Sequence, residues 1–135
     1  MGTSISKVYL SGGLKSDWQE RVMKEAPGLE YLNPQSHGLQ PPQLYTLWDM
    51  YHVRKADIVF GYMERDNPSG YGLATEIGYA KGLDKTIILV DEKSAVDEGF
   101  RRYFAIVREL SDTVFESLDE GIAMLKTFQL GRNNG

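Results

Sequence analysis

The chain has 135 residues, of which 41% are hydrophobic and 25% charged, with a formal net charge of −4 and no cysteine. This length suits one domain with a substantial core, so residues 1–135 are predicted to form a single domain. The acidic balance and the lack of a Lys/Arg block exclude nucleic-acid binding through phosphates. No apolar run approaches the ~20 residues that cross a bilayer, and the start of the chain has no signal-peptide pattern. We expect a cytoplasmic protein without membrane contact, disulfides, metal or cofactor.

Short apolar runs alternate with helical patterns along the chain, which predicts a parallel sheet covered on both faces. The predicted strands are 7–11, 29–32, 57–63, 86–90 and 113–115. The predicted helices are 17–25, 43–55, 71–82, 96–110 and a last one that opens at the capping box Ser117–Glu120. Residues 131–135 are predicted to be a flexible tail. We predict a single-domain α/β three-layer sandwich, Rossmann-like, with a five-stranded parallel sheet in flavodoxin-like order.

The helix predicted over 43–55 carries large apolar side chains at helical spacing, at Leu44, Leu47, Trp48 and Tyr51. This spacing predicts that they form the face that packs on the sheet. Asp49 lies off that stripe, where it is either a surface acid or a functional one.

The most informative segment runs from Ser69 to Ala80, with the sequence SGYGLATEIGYA, and follows the apolar strand 57–63. Its glycines open a helix that carries one carboxylate near its start, Glu76. In doubly wound sheets, ligands bind beyond the carboxyl ends of the strands, so the ends of strands 7–11 and 57–63 should converge there. The helix N-terminus favours an ionised carboxylate, which can act as a nucleophile, a base or a counter-charge. The plain alternative is a solvated helix acid.

Two further residues are candidates for the same site. Tyr9 lies in the first strand, where its phenol can hydrogen-bond and orient Glu76, unless it is simply a core aromatic. Asp49 would add a second acid to the pocket. Such a pair suits N-glycosidic chemistry, in which one carboxylate captures C1′ of the sugar and the other binds or protonates the base.

The motifs VYLSGG at residues 8–13, Asp49, and GLATEIGYA at residues 72–80 resemble, in this order, the nucleoside 2-deoxyribosyltransferase family. The resemblance runs from residue 7 to about residue 90. It implies that Glu76 is the nucleophile, Tyr9 the tyrosine that orients it and Asp49 the aspartate that contacts the substrate. Glu76 would attack C1′ of a (deoxy)ribonucleoside, and a second nucleobase or water would release the sugar with retained configuration. The resemblance also implies a homo-oligomer.

The chain departs from this pattern at one position. The family's transferases place an aspartate six residues before the glutamate, where it contacts the sugar, and here that residue is Gly70. Without this acid, Ser69 and the backbone N–H groups of Gly70–Gly72 can bind a 5′-phosphate, as in the branch that hydrolyses nucleoside 5′-monophosphates. Alternatively the loop is rebuilt, and Asp66 or Asn67 contacts the sugar. The predicted substrate-binding residues are Gly12, Gly13, Ser69, Gly70 and Gly72.

Other functions stay open at this point. A module that senses a nucleotide without cleaving it needs the same glycine loop but not Glu76. Phosphoribohydrolases that release cytokinin bases carry a glycine-glycine loop before a Gly-Thr-x-x-Glu run, and Gly70-Tyr71-Gly72 is only weakly similar to that loop. An FMN protein is disfavoured, because the loop after the first strand lacks a Ser/Thr-rich phosphate cradle. His37 lies in a Pro/Gly loop near the predicted pocket, where it could touch a nucleobase. The sequence leaves open the base, the acceptance of a 2′-hydroxyl, and transfer against hydrolysis.

Overall fold

The computed structural model of the chain describes residues 5–129. Its strands are Lys7–Gly12 (β1), Glu30–Leu32 (β2), Ile58–Met63 (β3), Thr86–Asp91 (β4) and Thr113–Phe115 (β5). Its α-helices are Trp18–Glu25 (α1), Pro42–Lys55 (α2), Tyr71–Gly82 (α3), Glu98–Leu110 (α4) and Leu118–Lys126 (α5). All strand pairs are parallel, and the order β2-β1-β3-β4-β5 confirms the predicted flavodoxin-like sheet. The predicted flexible tail lies outside the described residues.

The sheet separates two cores, because successive side chains of a strand point to opposite faces. On β1, Val8 and Leu10 point to one face, where they pack with residues of α1 and α5. Tyr9 points to the other face and packs with residues of α2, α3 and α4. Since both faces are covered, the central strands are apolar at nearly every position, which explains the continuous runs in the sequence.

A pair of small residues lets α3 come close to the sheet. Ser11 of β1 lies in register with Gly61 of β3. A Cβ atom placed on Gly61 would lie only 3.1 Å from Cδ1 of Ile77 on α3. This close approach brings Glu76, the neighbour of Ile77 on α3, within hydrogen-bond reach of β1.

The prediction that the apolar stripe of α2 packs on the sheet is wrong for three of its four residues. Leu44, Leu47 and Tyr51 are exposed, Leu47 by 66%, whereas Trp48 is partly buried against the core. Residues 42–47 are all exposed, and α2 meets the protein body mainly through its second half, with Val53 fully buried. The spacing of apolar residues identifies a helix face but does not distinguish a core face from an outward apolar one. None of the helices within residues 5–129 is long and apolar enough to cross a membrane.

Candidate active site

Glu76 lies in the second turn of α3, near the carboxyl end of β1, and only 7% of its surface is exposed. Both of its carboxylate oxygens accept hydrogen bonds from β1. The Tyr9 hydroxyl donates to Oε2 at 2.9 Å, and Ser11 Oγ donates to Oε1 at 2.5 Å. Tyr9 and Ser11 are two residues apart on one strand, so both side chains point toward α3. The structure therefore brings the predicted tyrosine and glutamate together and adds a second donor.

Asp49 of α2 lines the same cavity as Glu76, so the two predicted acids do converge. Its Oδ1 lies 3.4 Å from Nε2 of His37, and neither of these two buried atoms has a hydrogen-bond partner. His37 Nδ1 accepts a 2.8 Å hydrogen bond from the backbone N–H of Leu39. The proton of the neutral ring is therefore on Nε2, which faces Asp49. Trp48 packs edge-on against this ring, with a centroid distance of 4.8 Å.

Burial dominates the electrostatics of the two acids. Burial raises the pKa of Glu76 to about 7, with hydrogen bonds from Ser11 and Tyr9 opposing the shift and the charge of Asp49 adding to it. Burial also raises the pKa of Asp49, against the lowering effect of His37. The helix N-terminus would lower the pKa of Glu76, but the net change is a rise, because burial dominates. The helix dipole acts mainly within the first turn, and Glu76 lies beyond it. Two such neighbouring acids favour one proton held between them near neutral pH.

A cavity of about 370 Å³, here called the Glu76 cavity, opens at this carboxylate. Of the predicted site residues, Glu76, Asp49, Gly12 and Gly72 line it, whereas Tyr9 lies beneath Glu76 and is fully buried. Its size is that of a small-molecule site. The rest of its wall comes mainly from the loop after β1, the loop before α2 and the start of α2, with Leu14, Pro34, His37, Leu39, Gln40 and Tyr45.

The other predicted binding residues lie around an adjoining space. Gly13 and Ser69 line a second cavity of about 530 Å³, here called the Ser69 cavity, and Leu14 borders both. The polar side chains of its wall carry mixed charge: Lys15, Ser16, Glu64, Asp66 and Asn67. The predicted substrate-binding residues are therefore divided between two neighbouring cavities.

Gly70 lines neither cavity but shapes the turn before α3. Its φ is +80°, and a Cβ atom there would lie 2.8 Å from Sδ of Met63. An aspartate at this position would strain the backbone at its positive φ and would displace the side chain of Met63. Gly12 is constrained in a similar way, with φ of +152° and a Cβ position 2.6 Å from the carbonyl oxygen of Tyr62. Both glycines keep the backbone close to its neighbours at the edge of the site.

Ser11 is not among the site residues predicted from the sequence, and the only role predicted for His37 is a contact with the base. A serine in a strand carries no signal by itself, but its place two residues after Tyr9 puts it on the same face, which could have identified it. The pairing of His37 with Asp49 depends on how the loop before α2 folds, and no local pattern predicts that contact. No group of three or more His, Asp or Glu within residues 5–129 is placed to hold a metal ion.

A family model described as nucleoside 2-deoxyribosyltransferase-like matches residues 5–94, more than half of the chain, and spans Tyr9, Asp49 and Glu76. The chain belongs to this family. The predicted resemblance to the nucleoside 2-deoxyribosyltransferase family is thereby confirmed. No curated protein sequence matches the chain.

Solved structures share the fold of this family member. A conserved protein from Enterococcus faecalis V583 has a TM-score of 0.71 at 16% identity, covering 92% of this chain and 99% of that one. The CMP N-glycosidase BcmB of Clostridium botulinum has a TM-score of 0.60 at 18% identity, with coverage of 90% and 98%. BlsM has a TM-score of 0.64 at 21% identity, with coverage of 93% and 90%. At these identities the likeness is one of fold.

Proposed function

We propose that this nucleoside 2-deoxyribosyltransferase-like protein cleaves the N-glycosidic bond of a (deoxy)ribonucleoside or its 5′-monophosphate, with Glu76 as the nucleophile. The observation that carries the proposal is the carboxylate of Glu76, held by the Tyr9 hydroxyl at the wall of a cavity that Asp49 also lines. Family membership supports the bond that is cleaved. The shared fold of a CMP N-glycosidase supports a nucleotide substrate.

In the proposed reaction, an oxygen of Glu76 bonds to C1′ as the C1′–N bond breaks. The electron pair of the broken bond goes to the base nitrogen, which takes up a proton. Water then attacks C1′ from the opposite face, the ester bond to Glu76 breaks, and the water proton is released. The sum is nucleotide plus water to free base plus sugar phosphate, with retained configuration. If a second nucleobase replaces water, the outcome is transfer.

Asp49 is the proposed acid for the departing base. Burial raises its pKa, so it holds a proton to higher pH than an exposed aspartate does. His37 belongs to the loop before α2, and its Nε2 faces Oδ1 of Asp49 at 3.4 Å. Cleavage of an N-glycoside needs one ionised carboxylate as the nucleophile and one protonated carboxyl group as the acid, and we propose Glu76 and Asp49 for these two roles.

We propose that the 5′-phosphate of a nucleotide lies at the N-terminus of α3. The first N–H groups of a helix have no partner within it, and here the first intrahelical bond runs from Ala74 N to Gly70 O. Ser69 and Lys15 supply a hydroxyl and a positive charge in the adjoining cavity. Glu64 and Asp66 line the same space, and their negative charges weaken the binding of a phosphate dianion. We therefore expect the preference for the nucleotide over the nucleoside to be modest, about tenfold.

The test is incubation of the protein with ribo- and deoxyribonucleosides and their 5′-monophosphates, with and without free adenine, followed by chromatography of released and exchanged bases. Release of a base from at least one monophosphate, faster than from its nucleoside, supports the proposal. Exchange with adenine shows transfer, and sugar release alone shows hydrolysis. Equal turnover of a nucleoside and its monophosphate contradicts the phosphate site.

The variant Ser69→Asp tests the phosphate site directly. Its new charge repels a 5′-phosphate, so we expect cleavage of the monophosphate to fall about tenfold or more while cleavage of the nucleoside is kept. Lys24→Ala is the matched control, because it makes the same change of net charge on the exposed surface of α1. If both substrates respond equally to Ser69→Asp, the phosphate lies elsewhere.

We also propose that the chain forms a homo-oligomer through the outer face of α2. Leu44, Leu47 and Tyr51 are exposed there and line one apolar groove together with Leu39 and Trp48. A contiguous exposed apolar groove indicates an interaction site, and a two-fold axis would pair it with its own copy. Sedimentation should give an oligomer that Leu47→Glu dissociates. A monomeric wild-type protein contradicts this proposal.

A further inference from the structure

Ser11 is a fully buried serine at the carboxyl end of β1. Its hydroxyl donates to Glu76 Oε1 at 2.5 Å, which is shorter than the 2.9 Å bond from Tyr9 to Oε2. A hydroxyl in an apolar core is unfavourable without a partner, and here the partner is the carboxylate at the cavity wall. The serine therefore contacts the group on which the proposed chemistry depends, and it does so from within the core, since it does not line the Glu76 cavity.

The surrounding structure makes room for this contact. Ser11 is in register with Gly61, and Ile77 of α3 packs over that glycine. A large side chain at either small position would push α3 outward and move Glu76 away from β1. The short distance between α3 and the sheet thus depends on Gly61 and on Ser11, and Ser11 also donates the hydrogen bond to Glu76.

We propose that Ser11 is a positioning residue of the reaction: together with Tyr9, it holds both oxygens of Glu76 so that the carboxylate faces the cavity. This inference rests on the proposed function. A carboxyl group held by one donor can still turn about its last side-chain bond, which has a broad torsional minimum. Two donors on one rigid strand fix its plane, and C1′ then meets a preset oxygen.

The second effect is on charge. Hydrogen bonds to the ionised form favour that form, and the bond from Ser11 opposes the effect of burial on the pKa of Glu76. The titratable groups that face Glu76 are Tyr9 from β1 and Asp49 from α2, with His37 behind Asp49. Ser11 differs from them, since it donates a hydrogen bond without titrating. When the glycosyl ester breaks and Glu76 regains its charge, both donors stabilise the departing carboxylate.

The variants Ser11→Ala and Ser11→Cys test this role, because they replace the hydroxyl by no donor and by a weak one. We expect kcat to fall in the order Ser, Cys, Ala, with a loss of about 10- to 100-fold for Ala and little change in KM, as for a lost hydrogen bond to a charged group. The acidic limb of the pH–rate profile should move to higher pH. A merely structural serine would change the melting temperature without moving that limb.

Ser94→Ala is the matched control. Ser94 is also buried, but its hydroxyl has no hydrogen-bond partner and it lies in the loop after β4. It should leave kcat and the pH profile unchanged. Wild-type kcat and an unmoved acidic limb in Ser11→Ala overturn the inference, and so does an equal loss in Ser94→Ala.

A readout without substrate separates this inference from the proposed function. Carbon-13 NMR of labelled glutamate follows the titration of Glu76 directly, and its pKa should be higher in Ser11→Ala than in the wild type. If the wild-type protein cleaves no nucleoside or nucleotide, the proposed function fails. An unchanged Glu76 titration in Ser11→Ala overturns the role of Ser11, whether or not the protein is active.

Discussion

The hydroxyl of Tyr9 joins β1 to α3 by donating a 2.9 Å hydrogen bond to Glu76 Oε2, across 67 residues of sequence. Burial, and then the charges of Glu76 and Asp49, raise the pKa of this phenol far above its ordinary value. The phenol therefore stays protonated at neutral pH. It acts as a permanent donor to the carboxylate.

Loss of this donor should slow the reaction with little effect on substrate binding. For Tyr9→Phe we expect kcat to fall about 10- to 100-fold, the effect of losing a hydrogen bond to a charged group. Steady-state kinetics with the best substrate measures it. Tyr31→Phe is the matched control, because the Tyr31 hydroxyl binds the carbonyl of Ala26, away from both cavities. Similar losses in the two variants would show that only the fold was affected.

The rate should depend on pH with a defined sign. Glu76 must be ionised to attack C1′, and burial raises its pKa to about 7. We therefore expect kcat/KM to climb as pH rises through about 7. A profile that is flat between pH 5 and pH 9, or that falls through neutrality, argues against Glu76 as the nucleophile.

The buried carboxylate should also make stability depend on pH. The folded-state pKa of Glu76, about 7, is above the ordinary value of 4.5, so the folded protein binds more protons between these values. Stability then falls as pH rises through this window. Glu76→Gln cannot ionise, so its melting temperature should gain on the wild type between pH 5 and pH 8. Glu116→Gln on the exposed surface is the control and should show no such gain. A constant difference at all pH values would contradict the burial effect.

Replacing His37 tests the link to Asp49. In His37→Phe, the aromatic contact with Trp48 is kept but the N–H that faces Asp49 is lost. Because His37 lowers the pKa of Asp49, that pKa should be higher in His37→Phe, as carbon-13 NMR of labelled aspartate would show, and the rate should fall about tenfold. His52→Phe is the control: His52 stacks on Trp48 at 3.7 Å but does not line the Glu76 cavity. An equal Asp49 titration in the two variants would show that His37 does not act on Asp49.

Much of the fold and part of the site could be predicted from the sequence. The strands are buried on both faces, so apolar runs identified them, and right-handed crossovers restricted the strand order. Glu76 and Tyr9 were predicted to meet because the strand ends converge at one edge of a parallel sheet, whereas the place of Asp49 in the site was implied by the family resemblance. The structure brings these three residues together. Their catalytic roles stay predictions.

Other features depend on contacts that no local pattern encodes. The apolar stripe of α2 has helical spacing, but tertiary packing turns Leu47 and its neighbours outward. The pKa of Glu76 follows its depth in the protein rather than its place in the helix. Whether Gly70 could carry an acid depends on Met63, seven residues earlier in the chain. In each case the property depends on contacts with residues of another helix, strand or loop, which a local sequence pattern does not contain.

The proposed nucleophile Glu76 forms a covalent bond to the sugar, and mass spectrometry can detect that bond. The protein is incubated with a cleavable nucleotide whose C2′ carries fluorine, which slows breakdown of the glycosyl ester, and is then digested. We expect one added sugar phosphate on the peptide that contains Glu76. In Glu76→Gln, which still binds the nucleotide, we expect no adduct and no base release. An adduct on another residue, or base release by Glu76→Gln at the wild-type rate, would contradict it. Binding without cleavage by the wild-type protein would identify a nucleotide sensor instead.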